Sequence, residues 1–211
     1  MVIDKGEGQS PESFISTLLS IGRSNKLRIP FVQGKFNMGG TGVFQFCGEN
    51  NLQLIISRRH PDIIKNYDHE TSEKWGFTVI RRENPSDGLR SSCYKYLAPF
   101  NEILSFESDG LPLMPGEYPN PCQNVLKWGT FIKLYEYQMT GLRTNILFDL
   151  YNRLSLLLPN IALPVRLYER RKGYTGHSFE TTLSGLAVRL DEDKRENLEK
   201  GFLHIPMQSG H

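Results

Sequence analysis

The sequence predicts an α/β two-layer sandwich, with a mixed and mainly antiparallel sheet and helices on one face. Two observations carry that expectation. Strand-like runs at 52–57, 75–82 and 92–97 follow one another with no helical stretch between them. That order belongs to an antiparallel meander rather than to a parallel βαβ sheet. Apolar stripes at helical spacing fall at 11–21, 40–48 and 142–158. The 211 residues suffice for one large or two small domains with a sizeable core.

Taken in order, Val2-Ile3 reads as the end of a strand, and Asp4-Lys5-Gly6-Glu7-Gly8 as a turn. Ser10-Pro11-Glu12-Ser13 has the capping residue, proline and acid of a helix start. Phe14, Leu18, Leu19 and Ile21 form its stripe, and Gly22 ends it. Residues 23–38 are basic, polar and irregular, a length that suggests a functional lid. A helix is expected from the glycines at 39–42 through Cys47. Leu52 to Ser57 reads as a strand buried on both faces, residues 61–74 as a loop, Trp75 to Arg82 as a strand, and Ser92 to Leu97 as a third. Residues 109–128, with Pro112, Pro115, Pro119 and Pro121, read as a loop or insertion. Gly129 to Tyr137 alternates like a half-buried strand. Leu142, Ile146, Leu147, Leu150, Leu154, Leu157 and Leu158 form a helical stripe read as core packing. Strands are expected at 162–169 and 181–190, and a charged surface segment at 191–200.

Composition excludes several classes. The net charge of +2 gives no independent support for nucleic acid as a partner. Cys47, Cys93 and Cys122 lack C-x-x-C spacing and read as reduced thiols of a cytoplasmic protein. The histidines are scattered, so no structural metal is predicted. No apolar stretch approaches the roughly 20 residues of a membrane span. The Walker pattern G-x-x-x-x-G-K-[ST] is absent. Two Arg-Arg pairs, Arg58-Arg59 and Arg81-Arg82, read either as a basic edge for phosphate or as solvated strand ends that discourage edge pairing.

The chemistry concentrates in two glycine boxes. Gly34-Lys35-Phe36-Asn37-Met38-Gly39-Gly40-Thr41-Gly42 runs straight into the apolar Val43–Cys47 stretch. Glycines feeding a helix start offer free N–H groups and partial positive charge, which makes a phosphate cradle; the alternative is a surface loop. At the chain start, an aspartate at a strand end can accept from the exocyclic amine of adenine, and two glycines let a base lie flat on the backbone. The alternative there is a tight acidic turn.

Asp4-x-Gly6-x-Gly8, then Gly34 through Gly42, then Gly129-Thr130 opening a late strand, resembles the Bergerat nucleotide fold of the GHKL ATPases. That family holds gyrase-type topoisomerases, heat-shock chaperone ATPases, histidine kinases and MutL. Ser24-Asn25-Lys26 resembles the lid of the chaperone, MutL and MORC branches. The resemblance covers roughly the first two-thirds of the chain. It implies ATP and Mg2+ as cofactors. Asp4 would contact the adenine amine, Gly6 and Gly8 would line the base pocket, and Thr130 would lie beneath the adenine. Gly39, Gly40, Thr41 and Gly42 would hold phosphates through main-chain N–H groups, Gly34 would belong to the same cofactor-binding box, and Lys26 and Lys35 would be lid or phosphate contacts.

By the same resemblance, residues 1–140 form the nucleotide-binding domain, and 141–211 end it or begin a transducer-like segment. The family's glutamate base and magnesium-holding asparagine lie on a helix before the first glycine box, and that helix has no counterpart here. The expectation is therefore a piece of a longer protein that binds ATP, hydrolyses it very slowly or not at all, and acts as a nucleotide-dependent switch. Its partners would be a neighbouring domain or a second copy. The alternatives are a non-catalytic interaction module, or the ATPase part of a nucleic-acid processing or defence factor.

Overall fold

The computed structural model describes residues 1–20, 42–64, 70–86, 88, 90–120, 122–139, 141, 145–159, 161 and 163–185. The chain divides into two compact units, Met1–Thr140 and Gly141–His211.

The first unit is built on a six-stranded sheet in the order β1-β8-β2-β3-β4, with β5 also paired to β3. The strands are β1 (Val2–Asp4), β2 (Gln53–Arg58), β3 (Trp75–Glu83), β4 (Cys93–Tyr96), β5 (Leu104–Phe106) and β8 (Gly129–Leu134). Every described pairing is antiparallel, so the α/β class with a mainly antiparallel sheet is observed. β2 alternates strictly between buried and half-buried residues. Its odd positions, Gln53, Ile55 and Ser57, share one face; Leu54 and Ile56 share the other.

Each face carries its own apolar cluster. On the first, Ile55 and Ile80 pack with Phe14, Phe44 and Ile103, and Ile132 joins them. On the second, Trp75, Leu126 and Phe131 pack with Ile3, Leu54, Ile56, Phe106, Leu111, Leu113 and Met114. Trp75 is fully buried, and its Nε1–H donates to the Ser108 carbonyl at 3.0 Å. Burying a large apolar side chain contributes roughly 1.5–3 kcal/mol, so the two clusters dominate the unit's stability.

Several expectations are corrected. The 109–128 stretch is not merely a loop: β6 (Leu111–Met114) and β7 (Asn124–Leu126) form an antiparallel pair with an irregular register. Its Leu111, Leu113, Met114 and Leu126 cover the second face of the main sheet. Prolines suit an edge strand and its connections, and they masked the apolar alternation. The helix expected at 11–21 is only a 3-10 turn, Pro11–Ser13, followed by turns. Its hydroxyls bond back to the main chain: Ser13 to Ser10 O, Ser16 and Thr17 to Ser13 O, and Ser20 to Ser16 O. Such bonds offer the backbone an alternative to helix.

From Gly42 onward the second expected helix is likewise a 3-10 turn, Phe44–Phe46. The Asn51 side chain caps it by donating to Phe44 O at 2.6 Å. The expected 61–74 loop holds one helical turn, α1 (Pro61–Ile64), which buries Ile64. β5 had no counterpart in the sequence reading.

The second unit pairs a helix, α2 (Ile146–Leu157), with a hairpin of β9 (Val165–Tyr168) and β10 (Glu180–Leu183). Asn145 caps α2 by accepting from the Phe148 N–H at 3.1 Å. The stripe is core only in part. Leu147 is buried, whereas Leu157 is 74% exposed. The 186–190 part of the expected last strand and the 191–200 segment lie outside the described residues. No helix among the described residues is long and apolar enough to cross a membrane.

Candidate functional site

Four adjacent strands place one row of small and polar residues across the first face. Asp4 pairs with Thr130, Thr130 with Ser57, and Ser57 with Gly76. Residues paired across an antiparallel ladder project to the same side, so exposed Asp4 and buried Thr130 and Ser57 lie on one side of the sheet. Gly76 leaves room there for the Pro11–Phe14 segment: a Cβ would meet Pro11 Cα and Phe14 Cζ at 3.1 Å.

The loop after β1 is held from several sides. The Gly6 N–H donates to Asp4 Oδ1 at 2.7 Å. Oδ2 has no partner among the described residues. Asp4 is exposed. Gly8 has φ +64°, and a Cβ there would collide with the Arg58 carbonyl oxygen. Gly129 has φ +114°, and a Cβ there would collide with the Asp4 carbonyl oxygen. Both positions demand glycine for conformation and space alike. The His60 N–H donates to Glu7 O at 2.7 Å, and Arg59 approaches the Glu7 carboxylate at 3.6 Å. The His60 and Trp128 rings meet edge to face, 4.4 Å between centroids.

Beneath the loop lies a buried hydroxyl cluster. Ser57 Oγ accepts from the Gln9 N–H at 2.9 Å. It donates its own hydrogen to the Gly129 carbonyl at 2.9 Å, and so accepts from Thr130 Oγ1, also at 2.9 Å. Ser57 and Gln9 were not anticipated from sequence. The available signal was two polar residues, Gln53 and Ser57, at like-parity positions of an otherwise apolar strand.

The Arg58-Arg59 pair is half-buried and held by the protein's own groups rather than freely solvated. The Arg58 guanidinium donates to the Glu73 and Ser108 carbonyls, each at 2.9 Å, and Arg59 faces Glu7. Arg81 and Arg82 are exposed. Glu12, just beyond the loop, accepts from Ser72 Oγ at 2.7 Å and Thr71 Oγ1 at 3.1 Å. Burial works against its charge. The hydroxyls of Ser72, Ser10 and Thr71, with its own main chain, outweigh burial and hold the carboxyl below its ordinary range.

Of the residues expected to bind a nucleotide, the structure brings Asp4, Gly6, Gly8 and Thr130 together. Gly42 is exposed with helical backbone, and a Cβ on it meets nothing within 4 Å. Lys26, Gly34, Lys35, Gly39, Gly40 and Thr41 lie outside the described residues, as does the 23–38 lid. No group of three or more His, Cys, Asp or Glu fit to hold a metal occurs among the described residues. No family model, no curated protein and no solved structure matches this chain.

Proposed function

We propose that the chain binds ATP through a Bergerat-type site and serves as a nucleotide-dependent conformational switch in the cytoplasm. The observation that carries the reading is the Asp4–Thr130 pair. Asp4, whose Oδ2 has no partner among the described residues, is paired across the strands with Thr130 on one face of the sheet. Beside them runs a loop whose Gly8 has no room for a side chain. An ionised carboxylate only accepts hydrogen bonds, which suits an exocyclic amine and repels a carbonyl. The order of that loop, the glycine box ending at Gly42 and Gly129-Thr130 along the chain adds the family resemblance. Phosphate binding by Gly39, Gly40, Thr41 and Gly42 and lid closure by 23–38 belong to the same proposal.

Calorimetric titration with ATP tests it. Asp4→Asn keeps the side chain's size and can still accept from Gly6, but it loses the charge. ATP affinity is expected to fall about tenfold or more, since hydrogen bonds to charged groups contribute about 1.5–3 kcal/mol, while the melting temperature changes little. Equal affinity in the wild type and Asp4→Asn removes Asp4 from the site.

A further inference from the structure

We propose that the β4 edge of the main sheet receives an extended, acidic segment of a partner protein, added as a further strand. β4 closes one end of the sheet, and no strand pairs with its outer side among the described residues. The register fixes which of its main-chain groups are available. The Leu97 N–H donates to Val79 O at 3.0 Å, and in an antiparallel ladder such bonded pairs alternate with unbonded ones. Lys95 opposite Arg81 and Cys93 opposite Glu83 are therefore bonded to β3, whereas Tyr94 opposite Arg82 and Tyr96 opposite Ile80 are not. The N–H and C=O groups of Tyr94 and Tyr96 point away from β3, without a main-chain partner among the described residues. Such a row of groups is a template for another strand.

The side chains define the strand that fits. On the first face Tyr94 and Tyr96 are exposed, and the Tyr94 ring leans on buried Phe44, 4.7 Å between centroids. On the opposite face Lys95 stands beside Arg81, and both are exposed. Arg82, also exposed, lies next to Tyr94. Glu83 is the one carboxylate on β3 or β4, and it already pairs with Lys95. Three cations thus stand against one carboxylate along this edge. A strand laid beside β4 projects alternate residues to the two faces. Apolar residues would cover the tyrosines, and acidic residues at the alternate positions would meet Lys95 and Arg81. A second copy of the chain does not supply that pattern. The antiparallel register that pairs both tyrosines with their counterparts sets Lys95 directly opposite its own copy, and like charges so placed are destabilising. A lysine on an edge strand discourages self-association and leaves the edge open to a partner of opposite charge.

The probe is a short synthetic peptide of alternating glutamate and valine with blocked ends, titrated calorimetrically into the 211-residue chain. It is expected to bind at least about tenfold more tightly than the same peptide with lysine in place of glutamate, and its affinity should fall as salt is added. Two methylated versions, one at every valine nitrogen and one at every glutamate nitrogen, separate strand addition from plain charge attraction. Only alternate N–H groups of a strand face a given neighbour, so one version should lose binding and the other keep it. The double variant Arg81→Glu, Lys95→Glu should reverse the preference toward the lysine peptide. Tyr96→Pro removes an N–H that the β3 ladder does not use and should weaken binding about fivefold or more. Should that variant fail to fold, the methylated peptides decide in the wild-type protein. Equal binding of the acidic and basic peptides, binding that tolerates both methylation patterns, or no binding at all overturns the proposal. So does a β4-dependent dimer of the chain that excludes the peptide, or an oligothymidylate that displaces the peptide and binds more tightly.

Discussion

A single carboxylate shows how the residues around the site are balanced. Glu12 is buried enough for desolvation to oppose its charge, yet its hydroxyl donors hold its pKa below the ordinary 4.5. One carboxylate oxygen, Oε2, is buried without a partner among the described residues. A carboxyl whose folded pKa is depressed stabilises the fold at pH values above its unfolded pKa. That contribution is lost as pH falls through the folded value. Wild type is therefore expected to be more stable than Glu12→Gln near neutral pH, with the gap closing below about pH 4.5. Urea unfolding of both proteins across that range checks it; parallel stability curves at all pH values contradict it.

At the scale of elements, the glycine box meets the described structure at Gly42. The backbone there is helical and the space around a Cβ is open. Without nucleotide, Gly42→Ala is expected to be neutral or to stabilise by up to about 1 kcal/mol. Under the proposed phosphate site, the same methyl group would crowd the bound phosphates. Thermal melting with and without ATP and magnesium should show an unchanged or raised baseline and a reduced nucleotide shift. A mutant with its full nucleotide shift removes Gly42 from the phosphate site.

The same scale explains what was legible in the sequence. β2, β3 and β8 were readable because their apolar residues run or alternate without interruption. The 11–21 helix failed because Ser10, Ser13, Ser16, Thr17 and Ser20 compete for the main-chain groups a helix needs. β6 and β7 were hidden because prolines interrupt the period that Leu111 and Leu113 otherwise keep. Asp4 and Thr130 were singled out through glycine spacing, and no local signal showed that they pair across two strands. The parity of Gln53 and Ser57 hinted at a polar face, but the bonds of Ser57 to Gln9, Gly129 and Thr130 depend on a register that only the folded sheet reveals.

Across the whole molecule, the first unit keeps two distinct faces on one sheet. The second face is sealed by the β6–β7 pair, which Arg58 and Trp75 tie down through the Ser108 carbonyl. The first face carries the Asp4–Thr130–Ser57 row, with the Pro11–Phe14 segment crossing at Gly76. The division gives the unit a rigid floor and concentrates its polar chemistry at one end of β1, β8 and β2. The second unit, with Phe148, Leu156 and Leu163 exposed, adds a helix and hairpin to the chain.

The central claim is that the face bearing Asp4 and Thr130 receives an adenine ring, and an experimental structure of the chain with a non-hydrolysable ATP analogue tests it most directly. The account predicts the exocyclic amine within hydrogen-bonding distance of Asp4 Oδ2, about 2.7–3.2 Å, with the ring lying over Thr130. A nucleotide bound elsewhere, or one whose base points away from the Asp4–Thr130 row, would contradict it.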